Sequence, residues 1–312
     1  HGLRHPRPGL YALDRHHDPG ISLVVLLAYT GYTIESRPLQ ARRYFCKSDK
    51  EEDMDLGIRG RTAIVCASSQ GLGKACARAL AEAGVSLVIN GRNRALLDKT
   101  AEEIREATGA DVIPVVADVS TAEGQEALLA PCPAPDILIN NNGGPPYQDF
   151  RELDRAAMLA GVTMNMVTPI ELVQKVIDGM ASRGFGRIVN ITSISVKMPV
   201  PGLDLSSAAR AGLTAFLAGV VRKVADKNVT INNILPGHFD TQRLRNGFLA
   251  ASQQTGKPES DIAAELRSSI PAKRFGTPEE FGQTCAFLCS LHAAYITGQN
   301  ILLDGGKYPA AF

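Results

Sequence analysis

From residue 61 onward, short β-branched apolar runs alternate with stretches of helical periodicity, and few folds accommodate that alternation. Arg61–Ala67 reads as an apolar strand. Leu72, Ala75, Cys76, Ala79, Leu80 and Ala83 then recur at helix spacing until Gly84. Val85–Asn90 is a second strand, and Leu97, Ala101 and Ile104 mark a second helix ending at Gly109. Val112–Ala117 and Asp136–Asn140 supply strands three and four. Met166, Ile170, Val173, Ile177 and Met180 share a helical face ahead of a strand at Arg187–Ser193. Leu213, Phe216, Leu217, Val220, Val221 and Val224 share another ahead of Val229–Leu235. Thr277-Pro278-Glu279-Glu280 has the form of a capping box with proline at the first helical position, and its helix leads to a last strand near Gln299–Leu303. Strands separated by helices in this way pair in parallel and are covered on both faces. The expected fold is therefore α/β, a doubly wound Rossmann-type parallel sheet in a single domain.

Residues 1–53 do not share this pattern. They hold four of the six histidines and four of the seven tyrosines, and the first methionine of the chain is Met54. Two readings stay open. Residues 1–53 are a non-native or disordered extension and the working domain is 54–312, or they are a targeting segment with Ile21–Ala28 as its apolar core.

Composition narrows the partners. Apolar residues make up 45% of the chain and charged residues 21%, which excludes a largely disordered polymer. Lys and Arg number 33 against 32 acids, so no generic basic surface for nucleic acid or anionic membrane is expected. The longest strongly apolar stretch, Ile21–Ile34, is 14 residues, short of the ~17–25 that a spanning helix needs. The six cysteines show no Cys-x-x-Cys spacing and no nearby histidine pairs. They read as reduced thiols of a cytoplasmic protein, with no disulfide framework and no metal site.

The first strand runs into Ala67-Ser68-Ser69-Gln70-Gly71-Leu72-Gly73, and a helix follows at once. A glycine-rich turn between a first strand and a helix N-terminus is where a pyrophosphate is bound: the glycines allow close approach and the helix dipole favours the charge. No Gly-Lys-Ser/Thr closes the loop, so it is not of the kinase type. At the end of strand two, an acid would read the ribose 2′-hydroxyl of NAD. Ile89-Asn90-Gly91-Arg92-Asn93-Arg94 has no acid and two arginines. A guanidinium there suits a 2′-phosphate, so NADP (NADPH) is expected and NAD is disfavoured.

From about Met54 to its end, the chain resembles the short-chain dehydrogenase/reductase superfamily, and within it 3-oxoacyl-acyl-carrier-protein reductases. The glycine loop is similar to Thr-Gly-x-x-x-Gly-x-Gly, with Cys66 and Ala67 in the first two places. Asp118-Val119 resembles the pair that contacts adenine, and Asn140-Asn141-Asn142-Gly143 the Asn-Asn-Ala-Gly after strand four. By the same resemblance Asn165 holds a relay water and Ser193 orients the substrate carbonyl. Pro236, Gly237 and Thr241 would contact the nicotinamide end. Thr297-Gly298-Gln299 and Asp304-Gly305-Gly306 complete the pattern. The resemblance implies a carbonyl or acyl-thioester substrate and a homo-oligomer, dimer or tetramer.

The catalytic pair departs from that family. Its tyrosine lies 13 residues after the serine and its lysine four further on; counting from Ser193 gives Ser206 and Arg210. The i, i+4 spacing keeps both on one helical face. An aliphatic hydroxyl is a far weaker acid than a phenol, however, and arginine stays protonated. Ser206 is expected to hydrogen-bond a substrate oxygen and Arg210 to hold ribose hydroxyls. Replacement proton donors are few. His238 follows Pro236-Gly237 and is expected near the substrate side of the nicotinamide; its unperturbed pKa near 6.5 suits donation at neutral pH. Tyr147 lies in the loop after strand four. Each is alternatively a packing or surface residue, as His292 and Tyr295 are expected to be. Two functions follow: an NADP(H)-dependent oxidoreductase interconverting a carbonyl and a secondary alcohol with atypical catalytic residues, or an NADP(H)-binding regulator with little catalysis. Phe239 to Ile270 covers the pocket and follows no rule that names a substrate.

Overall fold

The computed structural model describes residues 54–145 and 147–311. The expected extension at 1–53 lies outside them. Seven parallel strands form one sheet in the order β3-β2-β1-β4-β5-β6-β7. They are β1 (Thr62–Val65), β2 (Ser86–Gly91), β3 (Val112–Val116), β4 (Ile137–Asn140), β5 (Gly186–Ile191), β6 (Val229–Pro236) and β7 (Asn300–Leu303). Each expected strand is present, with ends shifted by a residue or two. Ala67 and Ser193 in particular leave the ladder because they belong to the turns that build the site.

Strand residues alternate between two cores. Ala63, Val65, Leu87, Ile89, Ile137 and Ile139 face one side, where α1 (Gly71–Glu82), α2 (Arg94–Thr108) and α9 (Pro278–Cys289) cover them. Ile64, Val88, Leu138, Ile188 and Ile231 face the other, beneath α3 (Ala122–Leu129), α5 (Thr168–Arg183) and α6 (Asp204–Val221). The Thr277 capping box at the start of α9 forms as expected. Among the described residues four further helices lacked an apolar rhythm strong enough to announce them: α3, α4 (Arg155–Val162), α7 (Gln242–Thr255) and α8 (Glu259–Ser268). None of α7 or α8 is buried, which is why periodicity misses them.

α4 and α5 join through a π-helical turn, Thr163–Val167, into one 29-residue helix. By length and composition alone it would cross a membrane. Its Leu172, Val173, Val176, Ile177 and Met180 are instead buried in the second core, as a helix of a doubly wound domain requires.

A polar thread crosses the sheet just below its carboxyl edge. Asn140 donates to Asn190 Oδ1 (2.9 Å), Asn190 to Asn233 Oδ1 (3.0 Å), and Asn233 to Asn300 Oδ1 (2.8 Å). These four occupy paired positions on β4, β5, β6 and β7, so a one-residue slip in any strand would break the chain of amides. The ladder pins the register three residues before Gly143, Ser193 and Pro236.

Candidate active site

The strand order reverses between β1 and β4, and the loops after those strands open a crevice at the carboxyl edge. The glycine loop sits there. Ala67 adopts a left-handed φ of 44°, and Gly71 one of 59°. A side chain at Gly73 would begin 2.4 Å from Ala67 O and 2.7 Å from Asn141 Nδ2, so only glycine lets α1 start this close to the turn. Asn141 donates to Ala67 O (3.1 Å), tying the loop after β4 to the loop after β1. Ser68 is buried, donating to Val65 O (2.7 Å) and accepting from Asn90 N (3.0 Å). The carbonyl of Ser69 accepts from Thr100 Oγ1 (2.7 Å). Gln70 caps α1 without a side-chain hydrogen bond, and Leu72 packs against the first core. These contacts fix a cradle whose free amides lie at the N-terminus of α1, which fits a pyrophosphate.

Asn90, at the end of β2, is spent on structure. Its Oδ1 accepts from Ala67 N (3.3 Å), and its Nδ2 donates to Val115 O and Ala117 O (both 3.1 Å). Arg92 is thereby the first side chain of this strand end free to meet a ligand. It is exposed and lies 3.9 Å from Asp118. Hydrogen bonds from Ser120, and then the Arg92 charge, hold the Asp118 carboxyl below its usual range. Val119 turns into the second core, leaving only its backbone available. Burial pushes the Cys66 thiol up to about 12, so it is inert.

On the other side of the crevice stand the expected catalytic residues. Ser193 leaves β5 in an extended conformation, and its Oγ accepts from Ser195 N (3.1 Å), capping a short 3-10 turn. Ser206 and Arg210 lie one turn apart on α6 with both side chains buried, and Arg210 Nε donates to Ser206 Oγ (3.2 Å). Arg210 also donates to Ile191 O (2.7 Å), which fastens α6 to the end of β5 beside Ser193. Burial, and secondly the charge of Arg243, brings Arg210 down to about 10. Asn165 sits in the π-helical turn, fully buried. Its Nδ2 donates weakly to Gly161 O (3.4 Å) and Gly143 O (3.5 Å), while its Oδ1 has no partner. A buried, unpaired carbonyl oxygen beside the cleft is a ready seat for a bound water. Pro236 ends β6, Gly237 N donates to Leu303 O (2.7 Å), and Thr241 Oγ1 caps α7 at Leu244 N (3.4 Å). Gly71 faces Thr241 across the crevice.

His238 lines a cavity of about 440 Å³ bounded by α9 and the end of β7, with Phe239, Glu280, Thr284 and Asp304. Ser193, Ser206, Arg210, Asn165 and Tyr147 line no part of that cavity. Burial, then the charge of Lys307, lowers the imidazole below its usual value, so it is neutral near pH 7. His238 thus stands just past the end of β6, beside Asp304 at the end of β7. Tyr147 is 63% exposed and packs near Gly202, between the loops after β4 and β5. His292 bonds Asp55 O (2.8 Å) and Tyr295 is 99% exposed, neither near the crevice. Sequence reasoning missed Arg243, in the first turn of α7, whose only signal was its place two residues after Thr241.

Comparison with known proteins supplies relatives for this fold. A family profile described as Enoyl-(Acyl carrier protein) reductase matches residues 66–307. An acetoacetyl-CoA reductase of Cupriavidus necator is 34% identical over 253 residues, which is 80% of this chain and 98% of the relative. A 3-oxoacyl-[acyl-carrier-protein] reductase of Vibrio harveyi is 30% identical over 257 residues, 81% of this chain and 99% of the relative. The crystal structure of L-sorbose reductase from Gluconobacter frateurii, complexed with NADPH and L-sorbose, superposes with a TM-score of 0.78 at 28% identity, covering 82% of this chain and all of that one. By fold, motif order and these matches, the chain belongs to the enoyl-(acyl carrier protein) reductase family of the short-chain dehydrogenase/reductase superfamily.

Proposed function

We propose that the protein is an NADP(H)-dependent oxidoreductase that interconverts a carbonyl and a secondary alcohol. The observation that carries this reading is the placement of Ser193 and the Ser206–Arg210 pair across the crevice from the glycine loop, all at the carboxyl edge of the sheet. The relatives named above reduce 3-oxoacyl thioesters and a sugar ketone, which supports a carbonyl as the reacting group.

The cofactor suits the residues present. The Gly73 cradle and the N-terminus of α1 hold the pyrophosphate, and Arg92 meets the 2′-phosphate with no acid on its strand end to favour NAD. When bound, NADPH supplies the hydride that the carbonyl carbon accepts, the carbonyl oxygen takes a proton, and NADP is left oxidised. Ser193 and Ser206 hydrogen-bond that oxygen as negative charge develops on it. Arg210 holds Ser206 in place and adds positive potential from a buried position. Water seated at Asn165 Oδ1 delivers the proton from solvent. The atypical Ser206/Arg210 pair thus polarises and positions, without a side-chain acid of phenol type.

We further place the enzyme in the cytoplasm as a homo-oligomer. Met158 and Leu159 of α4, Val167 of the π-helical turn and Phe216 of α6 are exposed apolar side chains on neighbouring elements, a surface suited to a second copy. The regulator reading keeps one supporting observation, the lack of a phenol at Ser206. Steady-state reduction of acetoacetyl-CoA tests the proposal: NADPH is expected to support turnover and NADH to support it poorly. Equal use of the two nucleotides would refute the assignment of Arg92.

A further inference from the structure

Two guanidinium groups meet at the crevice with no acid to answer them. Arg210 spends its Nε and one terminal nitrogen on Ser206 Oγ and Ile191 O. Among the described residues its other terminal nitrogen has no hydrogen-bond partner and is not sealed from solvent. Arg243 reaches from α7 to the loop after β4. Its guanidinium lies 2.8 Å from where a Gly144 side chain would begin, with a long 3.4 Å contact to Pro145 O. The bare backbone of Gly144 leaves the notch this guanidinium occupies.

Two arginines of the neighbouring segments are paired: Arg245 with Asp240 (3.0 Å) and Arg151 with Asp149 (2.9 Å). Among the described residues, no carboxylate lies within 4.0 Å of Arg210 or Arg243. The Arg243 charge is close enough to act on Arg210. Like charges facing one crevice repel, and an anion carried by the ligand relieves that repulsion.

We propose that the substrate is an oxo acid, a small molecule with a carboxylate near its carbonyl, in which Arg243 pairs with the carboxylate while Ser193 and Ser206 hold the carbonyl oxygen. This rests on the oxidoreductase reading above. A guanidinium matches a carboxylate bidentately, and Arg243, held only by one long contact, is free to turn onto it. A neutral ketone or ester leaves both cations unanswered.

The test compares pyruvate, acetoacetate and levulinate, each against its methyl ester, with NADPH as reductant. For at least one pair, kcat/KM for the acid is expected to exceed that for the ester by about ten- to hundredfold, the range of one charge-assisted contact. Arg243→Gln, at an exposed position, should bring that ratio near one through KM and leave NADPH affinity unchanged. Equal use of acids and esters would overturn the inference while the oxidoreductase reading stands. So would an Arg243→Gln variant that weakens NADPH binding as much as it raises KM, because the guanidinium would then serve cofactor phosphates. Were no probe turned over, calorimetry on the NADP complex decides: Arg243-dependent binding of an acid but not its ester sustains the inference, and no binding of any acid overturns it.

Discussion

Ala67 sits with φ at 44°, a conformation that costs an L-residue roughly 1 kcal/mol and that glycine adopts freely. Ala67→Gly is therefore expected to leave the loop intact and to raise the thermal midpoint slightly, the gain being trimmed by the greater freedom of glycine in the unfolded chain. A lower midpoint would show that the alanine methyl packs usefully. Among the reacting residues, Ser193 and His238 separate two mechanisms. Ser193→Ala removes a donor to the developing oxyanion and should lower kcat by about 10²–10³ with NADPH affinity preserved. His238→Gln should change kcat little if, as the cavity beside α9 suggests, the residue lies apart from the reacting carbonyl; the measured kcat decides it. The pH profile carries the same distinction. The lowered imidazole gives no limb at its ordinary value, and the Arg210 cation, needed in its charged form, is lost only as pH rises through about 10. Activity falling with the titration of an ordinary histidine would return His238 to the mechanism.

The asparagine ladder ties four strands to one register. Asn190 is its centre, 1% exposed, bonded to Asn140 on one side and Asn233 on the other. Asn190→Ala should cost about 1–3 kcal/mol for each buried amide left unpaired, read as a drop in denaturation midpoint. It should also lower activity, since Ser193 follows three residues on along the same strand end. A neutral effect on stability would mean that water replaces the lost bonds. The ladder was invisible in sequence because each asparagine reads alone as a polar interruption of an apolar strand; only the register joins them. The strands themselves were legible, since parallel strands buried on both faces are continuous apolar runs. So was the glycine loop, whose residue types are dictated by local geometry at Gly71 and Gly73. The lid helices α7 and α8 were not, because they bury no face.

Among the described residues, the seven strands and both cores form a complete doubly wound sheet from Ile58 onward. A chain beginning at Met54 is expected to fold and to bind NADPH as tightly as the full-length protein, measured by fluorescence titration. Insolubility or loss of affinity would assign residues 1–53 a structural part. The molecule as a whole is proposed to bring a carbonyl, two hydroxyls and a buried cation together beside a nicotinamide. The direct measurement uses NADPH deuterated at the transferable position of its nicotinamide ring, with acetoacetyl-CoA and the oxo acids as acceptors, and mass spectrometry of the products. Deuterium on the carbinol carbon of a secondary alcohol, formed by the native chain and reduced about 10²–10³-fold by Ser193→Ala, is the expected result. Tight NADPH binding with no deuterated alcohol from any acceptor would contradict it and leave a nucleotide-binding regulator in its place.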